Sequence, residues 1–253
     1  MAQHDDDIPL FWQTGVRQIP PRPDNPADYH TDDARHWYDM EYAGWRVFKN
    51  PQPESPGDGP KGKTVVAITA GNHPYTEEFR RGMKIAAGRI GMQLHSIVSK
   101  WEPEDQIRDV ERAIAMDPDM IILWIESVKA GKLLINRIYE AGIPVIAANT
   151  MPDDEGLKNV LAWTGPDDWA QFRLLSRRFA ELMDYTGGYA IICHMEGTSA
   201  YYARSWSAIT ELKSIAPGME LKAMACTNLD EKASCTRVKH WIHEFGDDLK
   251  GII

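Results

Sequence analysis

Thr64-Val-Val-Ala-Ile-Thr69, continuing as Ala-Gly-Asn-His-Pro-Tyr75, is the stretch from which the fold is read. Its first six residues are nearly all apolar, as a short strand covered on both faces of a parallel sheet must be. The loop residues break that run. From Tyr75 onward Phe79, Met83, Ala86, Ala87 and Ile90 recur at helical spacing, predicting a helix over 75–90. The alternation then repeats, with strands over 93–98, 120–125 and 144–148 and helices over 102–116 and 130–141. Short loops between alternating strands and helices predict a parallel, right-handed α/β sheet. A further short strand is expected over 159–162 and a long helix over 167–185, carrying Phe172, Leu175, Phe179 and Leu182. A second α/β run follows: strand 189–194, helix 199–215, strand 220–225, helix 230–245 and a last apolar run over 249–253. That last run reads as a core strand with no helix after it.

Upstream of Lys63 the composition changes. Residues 1–62 hold nine of the 16 prolines, together with Trp12, Trp37 and Trp45. Proline removes donors and fixes φ, which argues against long regular elements, whereas the tryptophans suit a segment that packs on something. We expect an extension with a short helix over 32–42 and a linker over 51–63; a disordered leader is the alternative. With 253 residues, 43 % of them hydrophobic, the chain has material for about two domains at roughly 100–200 residues each. The division read from the sequence is 1–62 extension and linker, 63–168 first α/β lobe, and 169–253 crossover and partial second lobe.

Charge and composition exclude several classes. Thirty-seven acidic against 28 basic side chains give a net charge of -9, and a nucleic-acid binder needs the opposite balance, because phosphate affinity comes mostly from Lys and Arg. The longest apolar stretches, 120–125 and 189–193, fall far short of the roughly 20 residues a spanning helix requires. No basic segment followed by an apolar run marks a signal peptide at the N-terminus, as is also true of a mature exported chain. Cys193, Cys226 and Cys235 are too few for a disulfide framework. A Cys226–Cys235 bridge and three unpaired thiols both remain open.

Residues 57–64 match the glycine-x4-Gly-Lys-Thr phosphate-loop pattern, but that loop must follow a strand and open a helix. Here it precedes a strand and contains Pro60, so it reads as linker. Catalytic patterns are equally weak: no Gly-x-Ser-x-Gly elbow is present, and Cys193 and His194 are neighbours on one strand and point to opposite faces. Asp167 reads as a cap for the helix after it. His240 and His243 share a helical face without a third ligand, and Gly71, Gly88 and Gly91 have the wrong spacing for a dinucleotide fingerprint. No cofactor or metal is expected.

The strand ends are richer. In an open α/β sheet ligands bind at the carboxyl ends of strands. Those ends carry Asn72, His73 and Tyr75; Trp124, Glu126 and Ser127; Asn149 and Thr150; Trp163, Asp167 and Asp168; and, in the second run, residues 196–199 with Arg204. Aromatic faces mixed with neutral donors and acceptors suit a small polyhydroxylated solute, whose C–H faces stack on rings while its hydroxyls need both kinds of partner.

From residue 64 to 253 the chain resembles the type I periplasmic sugar-binding proteins, the ribose-binding-like solute receptors of ABC transporters, which share a fold with LacI-type effector domains. The resemblance rests on the order and spacing of Val65 to Gly71 with Asn72-His73-Pro74-Tyr75, Phe79 and Gly82; Asp105-Gln106; Asp119-Met-Ile-Ile-Leu; Ala141-Gly-Ile-Pro-Val145; Gly165 with Asp167; Glu196-Gly-Thr-Ser199 with Arg204; Pro217-Gly218; and residues 249–253. It implies a periplasmic-binding-protein-like fold of two Rossmann-like parallel-sheet lobes, the second incomplete, closing on a solute. By position, His73 takes a polar contact, Tyr75 a stacking aromatic and Trp124 a polar contact of some members. Asn149 and Thr150 stand where an aspartate and an arginine are common, Arg204 keeps the arginine of the second lobe, and Asn228 lies near its aromatic contact. The Asn-Thr pair removes the charges that usually grip a pyranose or furanose.

The resemblance also implies a non-enzymatic role in the periplasm or outside the cell, with a sugar-like ligand and ABC permease subunits as partners and no nucleic acid. A sensing module for a signalling or regulatory partner is the alternative, and a small-metabolite enzyme using Asn72, His73 and Asp167 is a third reading. Members of the family continue past the last strand here. We therefore expect either a fragment or a second polypeptide that completes the fold.

Overall fold

The computed structural model describes residues 57–253, apart from Gly197 and the side chains of Asp154 and Glu155. The expected helix over 32–42, the tryptophans of the extension and residues 51–56 of the linker lie outside the described residues. The described chain forms two compact units, one ending at Thr164 and the other running from Gly165 to Ile253.

The first unit is a five-stranded, all-parallel sheet in the order β2-β1-β3-β4-β5. Its strands are β1 (Thr64–Thr69), β2 (Gln93–Val98), β3 (Met120–Leu123), β4 (Val145–Ala148) and β5 (Ala162–Thr164). Between them run α1 (Pro74–Ile90), α2 (Pro103–Ile114), α3 (Val128–Glu140) and the single turn α4 (Asp154–Leu157). Val65, Val66, Ala67 and Ile68 are all at most 1 % exposed, so consecutive residues pointing to opposite faces are equally buried. That is the double coverage the apolar run requires. The main core joins Val66 and Ile68 to Ile121, Leu123, Val110, Leu134, Ile135 and Ile138. Thr64 begins a strand, and Lys63 pairs with Asp58 at 3.1 Å and Asp119 at 3.4 Å. The phosphate-loop lookalike therefore opens a strand and not a helix.

Strand β5 starts later than the expected 159–162. Asn159 is spent on the preceding turn, its N–H donating to the Gly156 carbonyl and its side-chain amide to Asn136 Oδ1. Sheet pairing begins only where the Leu161 N–H reaches the Val145 carbonyl at 2.8 Å.

The second unit is a three-stranded parallel sheet in the order β7-β6-β8: β6 (Thr186–Cys193), β7 (Gly218–Cys226) and β8 (Leu249–Ile252). Its helices are α5 (Asp168–Leu182), α6 (Ser199–Ile215) and α7 (Glu231–Phe245). Tyr189, Ile191, Cys193, Leu212 and Met219 make up its core. Strand β6 begins three residues before the expected Tyr189, through Gly187 and Gly188. Glycine is poor at predicting strand, yet this position needs it. A Cβ on Gly188 would lie 2.2 Å from the Asp248 carbonyl oxygen, beside the irregularity where β8 joins β6. No helix among the described residues is long and apolar enough to cross a membrane.

Candidate functional site

In the first unit the carboxyl ends of β1, β3 and β4 bring several of the expected residues together. His73 is the N-cap of α1: its Nδ1 accepts from the Tyr75 N–H at 3.2 Å, and its own N–H donates to Thr76 Oγ1 at 2.9 Å. This reciprocal box turns the helix out of the loop and presents Tyr75, which is 55 % exposed. The Tyr75 hydroxyl donates to Asn149 Oδ1 at 3.1 Å, across 74 residues of sequence. Asn149 sits at φ 58°, a left-handed conformation that asparagine tolerates better than most residues, and its N–H donates to the Thr164 carbonyl, tying it to β5. Beside it Thr150 is buried.

Trp124 differs from an open stacking platform. It is 5 % exposed and packs with Ala70, Ala148 and the edge of Phe79. The reason is local: its N–H continues the ladder by donating to the Ile68 carbonyl, so its ring enters the layer beneath α1. Tyr75 meets that ring edge-on, with centroids 5.5 Å apart. Of these two rings Tyr75 is the exposed one, and Trp124 is its footing.

Asn72 has both ends of its amide in use. Nδ2 donates to Glu77 Oε1 at 2.9 Å, and Oδ1 accepts from Arg80 at 2.6 Å while Arg80 also donates to Thr69 Oγ1. Glu126 is held through its backbone N–H by Gln106, and its carboxylate Oε2 is buried with no partner. Trp163 packs against the main core with its indole N–H likewise buried and unpartnered. Orphaned polar atoms of this kind are rare in folded proteins and mark positions where a partner is due.

In the second unit Asp167 is the N-cap of α5, its Oδ1 accepting from the Ala170 N–H at 2.9 Å. Its neighbour Asp168 turns inward and accepts from Arg204 Nε at 2.9 Å, while the guanidinium lies 5.6 Å from the Phe172 ring centroid. Burial pushes the Asp168 carboxyl up, and it outweighs the opposing charge of Arg204. A cavity of about 240 Å³ opens at the ends of β6 and β7, lined among others by Phe172, Ile192, His194, Arg204, Thr227 and Leu229. Asn228, at φ 51°, stands beside it as an exposed residue with its Oδ1 3.3 Å from Cys226 Sγ.

His194 lies on the wall of that cavity. Its Nδ1 is 3.0 Å from Thr198 Oγ1, whose hydroxyl donates to the Met195 carbonyl. With that proton committed, Nδ1–H donates to Thr198, and Nε2 of the neutral ring is left as an acceptor. Burial, helped by the charge of Arg204, pushes the His194 pKa down to about 4. The unfolded ring takes its proton near 6.5 and the native ring only near 4, so stability falls as pH drops through that window. The loss expected is ~2 kcal/mol after allowing for partial solvent screening. Denaturant titrations between pH 7 and 4 should show this slope, and His194→Gln should flatten it; an unchanged slope in the variant would contradict the assignment.

Three contributors were not read as site residues from the sequence. Gln106 is fully buried and spans the end of β3, donating to the Trp124 carbonyl and accepting from the Glu126 N–H, both at 2.9 Å. Its signal was available: a glutamine shares the buried stripe of α2 with Val110 and Ala113. Trp101, at φ 62°, lays its indole against Gly71, where a Cβ would meet the ring at 2.1 Å. Neither its backbone conformation nor its approach has a sequence signature. His194 was hidden behind its strand; Asp168, which the sequence places at a strand end and reads as a cap beside Asp167, instead turns to Arg204.

The model of the periplasmic binding protein domain family matches residues 64–253. No match was found among curated proteins. Solved structures of similar fold include an ABC transporter solute binding protein from Burkholderia graminis in complex with D-arabinose, at 20 % identity over 76 % of this chain and 65 % of that one, with a TM-score of 0.69. A second, from Agrobacterium vitis and bound with alpha-D-tagatopyranose, is 18 % identical over 75 % of this chain and 66 % of that one, with a TM-score of 0.67. A third, the fructose binding periplasmic domain of a hybrid two-component system, is 13 % identical over 75 % and 62 %, with a TM-score of 0.68. This chain spans slightly less than two thirds of the length of each of these proteins. At such identities the likeness is one of fold, while the family model covers most of the sequence: the chain belongs to the periplasmic binding protein domain family.

Proposed function

We propose that this protein is a non-catalytic receptor for a neutral, polyhydroxylated small solute of the sugar or polyol class, which it hands to the membrane permease of an ABC transporter. The observation that carries the reading is the Tyr75–Asn149–Trp124 assembly: an exposed ring, hydrogen-bonded to a neutral amide and footed on a second ring, at the strand ends of a family-matched lobe. Within the second unit, Arg204 and neutral His194 share a cavity wall and offer a donor and an acceptor of the kind a solute hydroxyl takes. The arabinose, tagatopyranose and fructose bound by proteins of the same fold support the solute class. Asn149 and Thr150, in place of the charged pair common in ribose-binding-like receptors, favour a solute gripped through neutral groups. Of the expected contacts, Asn72, His73, Tyr75, Glu126, Asn149, Trp163, Arg204 and Asn228 are retained as direct candidates, with Trp124, Thr150 and Asp167 in supporting places. Work in the periplasm or outside the cell follows from this reading.

The test is isothermal calorimetry of the full chain against pentoses, hexoses, ketoses and polyols. At least one should bind, and Tyr75→Phe should weaken it about fivefold, the worth of one net hydrogen bond. Exclusive binding of charged solutes, or of none of these, would overturn the reading. The hybrid two-component relative favours a second reading, in which the same solute is sensed for a signalling partner. Co-purification with a permease or with a sensor protein separates the two.

A further inference from the structure

Cys193 and Cys226 end adjacent parallel strands and are direct Cα partners, the last rung of an unbroken register that runs through Ala190↔Ala223, Ile191↔Met224 and Ile192↔Ala225. Paired residues on neighbouring parallel strands project to the same face, and the strands lie about 4.8 Å apart. That separation falls within the Cα distance a disulfide spans, about 4.4–6.8 Å. Both residues belong to the same apolar cluster, Cys193 buried within it and Cys226 half-buried against it. Cys193 also lines the cavity that His194 and Arg204 share. The Cys226 thiol donates to the His194 carbonyl at 3.1 Å, so it sits at the same strand end. All three cysteines are free, and Cys235, exposed on α7, has no comparable placement against either of the others.

We infer that Cys193 and Cys226 form a dithiol that closes to an intramolecular disulfide by exchange with a small disulfide oxidant. The more accessible Cys226 thiolate attacks one sulfur of the oxidant and expels its first thiolate. The Cys193 thiolate then attacks Cys226 Sγ in the mixed disulfide and expels the second. Two protein thiols lose their hydrogens, and one oxidant disulfide becomes two thiols. Burial pushes the Cys193 thiol up, so the second step is the slower one and quickens with rising pH. Closure ties the ends of β6 and β7 together at the cavity wall. Its effect on solute affinity rests on the function proposed above; the bond itself does not.

The test uses the reduced full chain with oxidised glutathione at pH 8, acid quenching and non-reducing peptide mapping. The thiol count should fall from three to one, with a Cys193–Cys226 peptide recovered and no glutathione retained. Cys235→Ser should close in the same way. Cys193→Ser should stop with glutathione on Cys226, and failure of that variant to fold leaves the mapping of the natural chain and of Cys235→Ser to decide. A Cys226–Cys235 peptide, glutathione persisting on Cys226 of the natural chain, or an undiminished thiol count would each overturn the inference. Calorimetry of the oxidised and reduced forms against a bound sugar reads the consequence separately.

Discussion

Arg204→Ala is expected to destabilise the unit from Gly165 to Ile253 by about 3 kcal/mol, whereas Asp168→Asn should change it by less than about 1 kcal/mol. The asymmetry follows from which partner is buried. The Asp168 side chain is 9 % exposed and that of Arg204 33 %. Removing Arg204 strands a carboxylate that burial already disfavours, as its raised pKa shows. Removing the Asp168 charge leaves an arginine that still reaches water and keeps its Phe172 ring. The double variant Arg204→Ala with Asp168→Asn should therefore recover most of what the single arginine variant loses. Urea unfolding at pH 7 of the three variants decides the matter; a double variant as unstable as Arg204→Ala alone would show that packing of the arginine stem, and not a stranded charge, carries the cost.

Trp124→Ala should cost the first unit about 3–5 kcal/mol, the range for deleting a buried aromatic. Its ring supports Phe79 and Tyr75 from α1 and lies with Ala70 and Ala148, small residues that cannot expand into the space. Any loss of sugar affinity in this variant arises through displacement of Tyr75. Trp124→Phe, which keeps a ring, should retain most of the stability while loosening the Tyr75–Asn149 bond. Chemical denaturation together with calorimetry separates the two effects. A Trp124→Ala variant of unchanged stability with lost affinity would return the ring to direct solute contact.

The architecture was legible because parallel strands buried on both faces have no room for polar residues. Runs such as Val65 to Ile68 and Met120 to Leu123 stand out, and the capping residues His73, Ser127, Asp167 and Asp230 punctuate the helices between them. Element ends were read less well where a residue serves two demands. Asn159 closes a turn before the strand, and Gly188 lowers strand propensity to admit the Asp248 carbonyl.

For the site, sequence order showed which residues cluster at strand ends but not their orientation. Trp124 and Tyr75 look equally suited to stacking until the ladder bond at Trp124 turns its ring inward. The Arg204 partner is the aspartate after the cap and not the cap itself, a distinction set by the first turn of α5. The contacts that escaped entirely, such as Trp101 against Gly71, join loops whose approach only the folded chain creates.

The Gln106 amide bears on whether the turn after β3 can be moved to another protein. Gln106 belongs to α2, yet it fastens the two peptide groups on either side of Ile125. The shape of the turn leaving β3 is thus inherited from a neighbouring helix rather than written in its own letters. Grafted onto another α/β scaffold without its glutamine, the segment from Trp124 to Ser127 would keep its spelling and lose its pose.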